Sequence, residues 1–374
     1  MKNNNSLEHY LLSVISGKTK GFKATLIRWL LGCLEIIYYL LLKGRQLLTR
    51  PQRLPVPVIS VGNIITGGTG KTPTVIWLAQ RLQQSGWKPA ILTRGYKGKY
   101  QQSGLIFTGE DLEVLSPEAV GDEPYLLAEV LAGVPIVVGQ DRLRMANKAL
   151  QERPEISVFI LDDGFQYCRL WRDLDIVLID ALNPFSNNHL IPRGLLREPV
   201  TALKRAGMIF LTRTEQVDPE QVDLIIRRLQ NLNLKAPFLK VEANQCYFRS
   251  LSDKQAIIPN GHLMHELVAV LTAIGNPEQF YQTVERTKAT IKYFQPFPDH
   301  YYWTADDIRE IVNSLTDLGL NVLIVTGKDA VKLQQFAAEF VKAGIQCYIC
   351  ELEFTVNDLM ADRIINNVMS KGRK

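Results

Sequence analysis

Between residues 56 and 212 short runs of apolar, largely β-branched residues recur at intervals that leave room for helices between them. The runs at 56–61, 89–93, 135–138, 157–161, 175–179 and 208–212 read as buried strands. After the first of them, residues 72–84 place Val75, Ile76, Leu78, Ala79 and Leu82 at the period of an amphipathic helix, which Gly86 ends. Segment 141–151 reads the same way. Strands that alternate with helices predict an α/β fold: a mostly parallel sheet covered on both faces, with ligands at the carboxyl ends of the strands. Past residue 236 the pattern predicts an extended connector at 237–251, then a strand at 267–272 and helices near 277–288 and 305–318. A strand at 321–326 and a final strand and helix complete it. A chain of 374 residues is long enough for two cores. The expected division is an N-terminal helical segment at 1–50, a main domain at 51–236 and a smaller α/β domain at 237–374 that closes over a cleft.

The N-terminal segment stands apart. Lys18, Lys20, Lys23 and Arg28 precede the run WLLGCLEIIYYLLL at 29–42, and Lys43, Arg45, Arg50 and Arg53 follow it. Fourteen residues containing Glu35 are short for a bilayer crossing, which takes about 20. An amphipathic helix lying in the membrane interface, with basic side chains reaching head groups, fits better than a crossing; the alternative is a buried helix packed on the main domain. A cleaved signal peptide is not expected, because no small-residue cleavage site follows the run. The net charge of +5 is too small an excess to argue for nucleic acid, and a monomer is the expectation. Five scattered cysteines suggest no disulfide framework. Cys347 and Cys350, three apart on a segment that alternates like a strand, point to opposite faces and read as filler.

The first strand runs into TGGTGKT, residues 66–72, and then into the helix. Strand, glycine loop and helix in this order form a phosphate cradle, and the fold is therefore expected to be phosphate-loop NTPase-like. Thr66, Gly67, Gly68, Thr69, Gly70, Lys71 and Thr72 would hold the phosphates of a nucleotide, with Lys71 at the β- and γ-phosphates and the Thr72 hydroxyl on Mg²⁺. Pro73 falls in the first helical turn, where its missing N–H costs nothing. Residue 65 is Ile65 where the general pattern has glycine, so the loop looks more like the GGxGKT variant.

VFILDD ends a buried strand with Asp162 and Asp163, the position of a carboxylate that holds Mg²⁺ directly or through water. GDEPYLLAEVLAG at 121–133 offers Asp122 and Glu123, the latter a further metal candidate, at the start of a helix. Its bland reading is an Asp N-cap. FPDHYYWT at 297–304 offers Asp299 and His300 beside aromatic residues, and such a pair is ordinarily a satisfied surface turn. A cradle and a metal site alone leave three readings open: a kinase, a membrane-associated ATPase that drives assembly or insertion of another protein, and a nucleotide-sensing scaffold.

Taken together the segments resemble one family, the tetraacyldisaccharide 4'-kinases of lipid A biosynthesis. The matching pieces are SVGNIITGGTGKTP, LTRGYKG, VGDEPYLLA, VFILDDGFQYCRL, LIPRGLLREP, AIGNPEQFY, FPDHYYWT and VTGKDAVKL, in order and spacing. The resemblance implies transfer of the γ-phosphate of ATP to the 4'-hydroxyl of an acylated disaccharide phosphate lipid at the cytoplasmic face of the inner membrane. It implies that Asp122 is the base, assisted by His300, with Asp299 orienting the imidazole. Arg94, Arg193 and Arg197 become candidates for contacts to substrate phosphate. On this reading His300 sits on the rim of the C-terminal domain, and ligand binding closes the domains to bring it to Asp122. Two positions depart from the family pattern: Gly327 stands where Glu is more usual, and Lys97 follows Tyr96 where a second glycine is usual.

Overall fold

The computed structural model describes residues 10, 13–15, 19–232, 236–242, 246–253, 256–352, 354–356 and 358–371. Along the chain the strands are β1 (Val58–Asn63), β2 (Pro89–Thr93), β3 (Leu105–Phe107), β4 (Ile136–Val138), β5 (Val158–Asp162), β6 (Leu174–Asp180), β7 (Met208–Thr212) and β8 (Phe238–Glu242). They continue as β9 (Cys246–Ser250), β10 (Ile257–Ile258), β11 (Leu267–Thr272), β12 (Thr290–Pro296), β13 (Val322–Thr326) and β14 (Gln346–Leu352). The helices used below are α1 (Phe22–Leu48), α2 (Lys71–Gln84), α3 (Asp122–Val130), α4 (Arg142–Glu152), α5 (Pro219–Gln230), α6 (Pro277–Glu285), α7 (Ala305–Asp317) and α8 (Gly327–Leu333). The chain forms two compact units. Met1–Lys71, Ser157–Val241 and Val356–Lys374 make the first; Thr72–Ile156 and Glu242–Thr355 make the second.

In the first unit β8, β7, β6, β1 and β5 lie side by side in that order, all parallel. Every residue of β1, β5, β6 and β7 is buried, which is why these strands read as unbroken apolar runs. Their register sets Val61 beside both Asp162 and Ile176, so β1 and β5 deliver their carboxyl ends to one edge. One face of the sheet carries a core built on Ile64, Phe165, Val177, Ile209, Leu211 and Leu229, the last from α5.

The second unit holds two groups of strands. β2 and β4 are parallel with β3 antiparallel at the edge of β4. A six-stranded sheet runs β10, β9, β14, β13, β11, β12, parallel through its four central and outer strands β14, β13, β11 and β12. Its two faces bury separate cores. Leu271, Trp303, Ile311, Leu323 and Cys347 lie in one, and Phe248, Val270, Ile324 and Cys350 in the other. The two cysteines therefore do face opposite ways as filler. The segment expected as a connector at 237–251 contains two strands instead: β8 adds in parallel to β7, and β9 adds antiparallel to β14.

Helix α1 has 27 residues, about 40 Å at 1.5 Å per residue. It is longer than the apolar run because its basic flanks are helical too, and by length and composition it could cross a membrane. Its packing is one-sided. Ala24 is buried, and Glu35, Tyr38 and Gln46 on the same stripe meet the first unit: Leu190 N–H and His189 at Glu35, the Arg197 carbonyl at Tyr38, and Glu198 at Gln46. The remaining surface is apolar and exposed, with Trp29, Leu30, Ile37, Leu40 and Leu41 all at least half uncovered. The helix is thus not the buried element of the alternative reading.

Close packing at the β1 edge yields a direct test. A Cβ added at Gly62 would lie 2.8 Å from Phe165 Cβ and 2.9 Å from its backbone nitrogen. Gly62→Ala is expected to cost about 1–3 kcal/mol, the usual range for overpacking, read as a lower urea midpoint.

Candidate active site

The phosphate loop hangs between β1 and α2 by its carbonyls. Arg213 donates from Nη2 to the Gly68 carbonyl at 2.6 Å, and Thr212 Oγ1 donates to the Thr69 carbonyl at 3.3 Å. Asn63 Nδ2 donates to Thr69 Oγ1 at 2.9 Å, and Thr66 N–H donates to the Leu195 carbonyl at 2.8 Å. Gly67 at φ 117° and Gly70 at φ 92° make the turns that L side chains resist. A glycine loop of this kind, running directly into a helix N-terminus, is a backbone arrangement suited to meeting an anion.

Lys71 opens α2 and sits 3.7 Å from Asp163 Oδ1. Asp163 takes a left-handed backbone, φ 47°, directly after β5, and accepts two bonds from Arg197 Nη1 at 2.9 and 2.8 Å. Asp162 ends β5 and is buried. Lys71, Asp163 and Arg197 therefore form one cluster in the first unit. Arg193 lies elsewhere, 3.7 Å from Glu35 of α1. Arg94 is exposed just past β2.

In the second unit Asp122 is the first residue of α3; its N-cap is Gly121, so the cap reading of Asp122 does not hold. The carboxylate is turned into the protein, 2 % exposed, where His300 Nδ1 lies 2.8 Å from Oδ2 and the Tyr302 hydroxyl donates to Oδ1 at 3.3 Å. Lys332 Nζ lies 3.6 Å from Oδ2. The two residues meet within one unit, so no domain closure is needed to bring His300 to Asp122. Asp299 approaches the other ring nitrogen, Nε2, at 3.8 Å, which is ion-pair rather than hydrogen-bond distance. Tyr96 of the RGYKG loop packs its ring 5.4 Å from the imidazole. His300 itself is left-handed at φ 63°, held by its N–H donating to the Ala273 carbonyl at 3.1 Å. Glu123, named from sequence as a metal ligand, is ion-paired with Lys328.

Burial alone would raise the Asp122 pKa; the His300 hydrogen bond, the Lys332 charge and the His300 charge outweigh it and take the group from 3.8 down to about 2. Burial, together with the charge of the same carboxylate, pushes the Tyr302 phenol well above its ordinary value, so the hydroxyl stays a donor. The sequence left Lys332, Tyr302, Asn63 and Arg213 unremarked as site residues. Asn63, Tyr302 and Lys332 lay inside motifs quoted for the family, SVGNIITGGTGKTP, FPDHYYWT and VTGKDAVKL; Arg213 carried no signal of its own.

A parallel sheet, a strand–glycine loop–helix cradle and a buried carboxylate–imidazole pair define a nucleotide-dependent kinase of the phosphate-loop class. The family model for tetraacyldisaccharide-1-P 4'-kinase, LpxK, matches residues 27–370. A tetraacyldisaccharide 4'-kinase from Halothermothrix orenii is 34% identical over 366 residues, 94% of each chain. One from Desulfotalea psychrophila is 38% identical over 295 residues, 79% of this chain and 83% of that one. The crystal structure of the "apo" form of LpxK from Aquifex aeolicus in complex with ATP has a TM-score of 0.71 and 29% identity, covering 92% of this chain and 99% of that one. This chain belongs to the tetraacyldisaccharide 4'-kinase family.

The depressed carboxyl makes a signed prediction. An acid whose pKa falls on folding stabilises the fold above its unfolded pKa, and that stability is lost as pH falls through the folded value. For Asp122 the shift from 3.8 to about 2 corresponds to roughly 2 kcal/mol. Denaturant titrations should show wild type losing this increment between pH 4 and 2, and Asp122→Asn lacking that component of the loss.

Proposed function

We propose that this chain transfers the γ-phosphate of ATP to the 4'-hydroxyl of a tetraacylated glucosamine disaccharide 1-phosphate, giving the 1,4'-bisphosphate. Family membership supports the reaction. The observation that supports the assignment of the base is the 2.8 Å contact between buried Asp122 and His300. An ATPase without an organic acceptor would have no use for a buried carboxylate–imidazole pair outside the phosphate loop.

Phosphoryl transfer passes through a loose transition state, so it needs alignment and charge neutralisation more than a strong base. Asp122, ionised at neutral pH, accepts the hydroxyl proton and orients the oxygen for in-line attack. His300 donates from Nδ1 and keeps the carboxylate pointed, with Asp299 near its Nε2. Lys71 binds the β- and γ-phosphates within the cradle of residues 66–72, and Arg197 holds Asp163 beside it. Among the described residues no three His, Cys, Asp or Glu side chains gather into a metal-holding group. Mg²⁺ nonetheless fits this donor set, because it takes one or two protein oxygens and completes its shell with phosphates and water. The Thr72 hydroxyl, Asp162 and Asp163 would supply those oxygens, and the ion, when bound, neutralises charge on the phosphates. Glu123 is not assigned to it, since Lys328 already compensates that carboxylate. Arg94 and Arg193 are assigned to substrate phosphate.

A substrate with four acyl chains stays in the bilayer. Helix α1, polar toward the protein and apolar outward, is assigned to the interface of the cytoplasmic face of the inner membrane, with the enzyme acting as a monomer.

The test is label transfer from γ-labelled ATP with Mg²⁺ to detergent-dispersed tetraacyldisaccharide 1-phosphate. Wild type should label the lipid, and Lys71→Ala and Asp122→Ala should each lose at least about 100-fold in rate. Label released only as inorganic phosphate, with or without lipid, would favour the ATPase. For the helix, Leu30→Ser, Ile37→Ser and Leu41→Ser combined should abolish co-sedimentation with anionic phospholipid vesicles and leave ATP affinity unchanged.

A further inference from the structure

Behind Asp122 lies a second buried charge that the transfer chemistry does not itself require. Lys332 of α8 is 2 % exposed, its ammonium 3.6 Å from Asp122 Oδ2 and 3.2 Å from Asp329 Oδ1, over the rings of Tyr302 at 5.7 Å and Trp303 at 5.1 Å. Among the described residues Nζ makes no directed hydrogen bond, so it acts through charge. An ammonium among aromatic rings costs several kcal/mol of hydration, and such groups persist where they are paired.

Pairing with Asp329 accounts for only part of it, because the same ammonium also reaches Asp122. The Asp329 carboxylate is fully buried; among the described residues its Oδ1 has no hydrogen-bond partner and faces the ammonium, while its Oδ2 accepts from the Thr272 hydroxyl at 3.0 Å, the Ala273 N–H at 3.1 Å and the Thr326 hydroxyl at 2.7 Å. These bonds tie α8 to the ends of β11 and β13. The His300 N–H donates to the carbonyl of the same Ala273. His300 and Lys332, the two groups that reach Oδ2 of Asp122, are therefore both referenced to one residue, Ala273, at the end of β11.

We propose that Lys332, carried by Asp329, is a positioning residue for the reaction: it is the fixed cation that aims and holds the Asp122 carboxylate for the acceptor hydroxyl. The inference rests on Asp122 being the base. With Lys332 in place, Oδ2 is held from one side by imidazole and from another by ammonium, which fixes the plane of the carboxylate. Without it the carboxylate is held by His300 and Tyr302 alone and can turn about its Cβ bond. The phosphate loop is untouched by the change.

The experiment uses the full chain in the lipid-transfer assay. Lys332→Met keeps the length of the side chain and removes its charge. It is expected to lower kcat on the order of 100-fold, the cost of misplacing a reacting group by about 1 Å, with KM for ATP within about twofold of wild type. The double variant Lys332→Met with Asp329→Asn removes both buried charges. It should regain the thermal stability that the single variant loses while kcat stays low. Recovery of kcat together with stability would show that the lysine serves the fold only and would overturn the proposal. So would an unchanged kcat in Lys332→Met, or failure of both variants to fold. Asp122→Asn, run alongside, separates the two claims. If that variant is active, the base assignment itself is wrong. If it is inactive while the double variant is active, only the role of Lys332 falls.

Discussion

A carboxylate taken out of water must be met by donors and cations, and in the second unit the requirement of Asp122 organises its surroundings. Three pieces of chain far apart in sequence converge on it: the start of α3, the turn after β12 that carries His300 and Tyr302, and α8 with Lys332. Each is fixed by backbone or buried polar contacts rather than by the carboxylate alone. Ala273 gives its carbonyl to His300 and its N–H to Asp329, so a displacement at the end of β11 would be felt by His300 and by the Asp329–Lys332 pair alike. Low local polarity strengthens each of these contacts and makes each expensive to leave unmade. The left-handed backbone of His300 is a modest strain that this network holds in place.

The first unit solves a different problem, that of presenting amides to an anion. Carbonyls tied to Arg213 and Thr212 fix the loop from one side, and the segment after β6 fixes it from the other, where the Ile64 carbonyl accepts from Arg197 N–H at 2.7 Å. That segment also carries the contacts to α1. Tyr38 bonds the Arg197 carbonyl while the Arg197 guanidinium holds Asp163, so a single residue joins the N-terminal helix to the carboxylate beside Lys71. The internal Glu35, which made the apolar run look unsuited to lipid, is the group that docks the helix onto the protein. The face it leaves outward is apolar.

Much of this was legible in the sequence because it depends on local periodicity. Strands buried on both faces read as apolar runs, and β2 and β7 have the bounds those runs predict. The cradle was legible because strand, glycines and helix are consecutive. What was not legible depends on pairing across the chain. β8 and β9 lie three residues apart yet join different sheets, which no local pattern encodes. Asp122 and His300 are 178 positions apart, and their contact could be expected only through the family resemblance. Lys332 went unremarked in the sequence, because burial of a charge is decided by what packs over it. The length of α1 was underestimated because its basic flanks lower the hydropathy without breaking the helix.

The two departures from the family pattern have different physical weight. Gly327 has an unexceptional backbone, and a Cβ there would lie 3.6 Å from Leu126 Cδ1, ordinary contact distance, so neither backbone strain nor a Cβ clash calls for glycine at this position. Lys97 is another matter. Its φ of 61° lies where glycine is at ease and a lysine pays about 1 kcal/mol. The backbone path that a second glycine would take is therefore kept by a residue that does not favour it. The reason lies on either side: Gly98 is packed so tightly that a Cβ would fall 2.6 Å from the Val120 carbonyl carbon, and Tyr96 rests on the imidazole of His300. A right-handed Lys97 would withdraw one contact or the other. The loop thus carries a modest conformational strain while keeping an aromatic ring against His300.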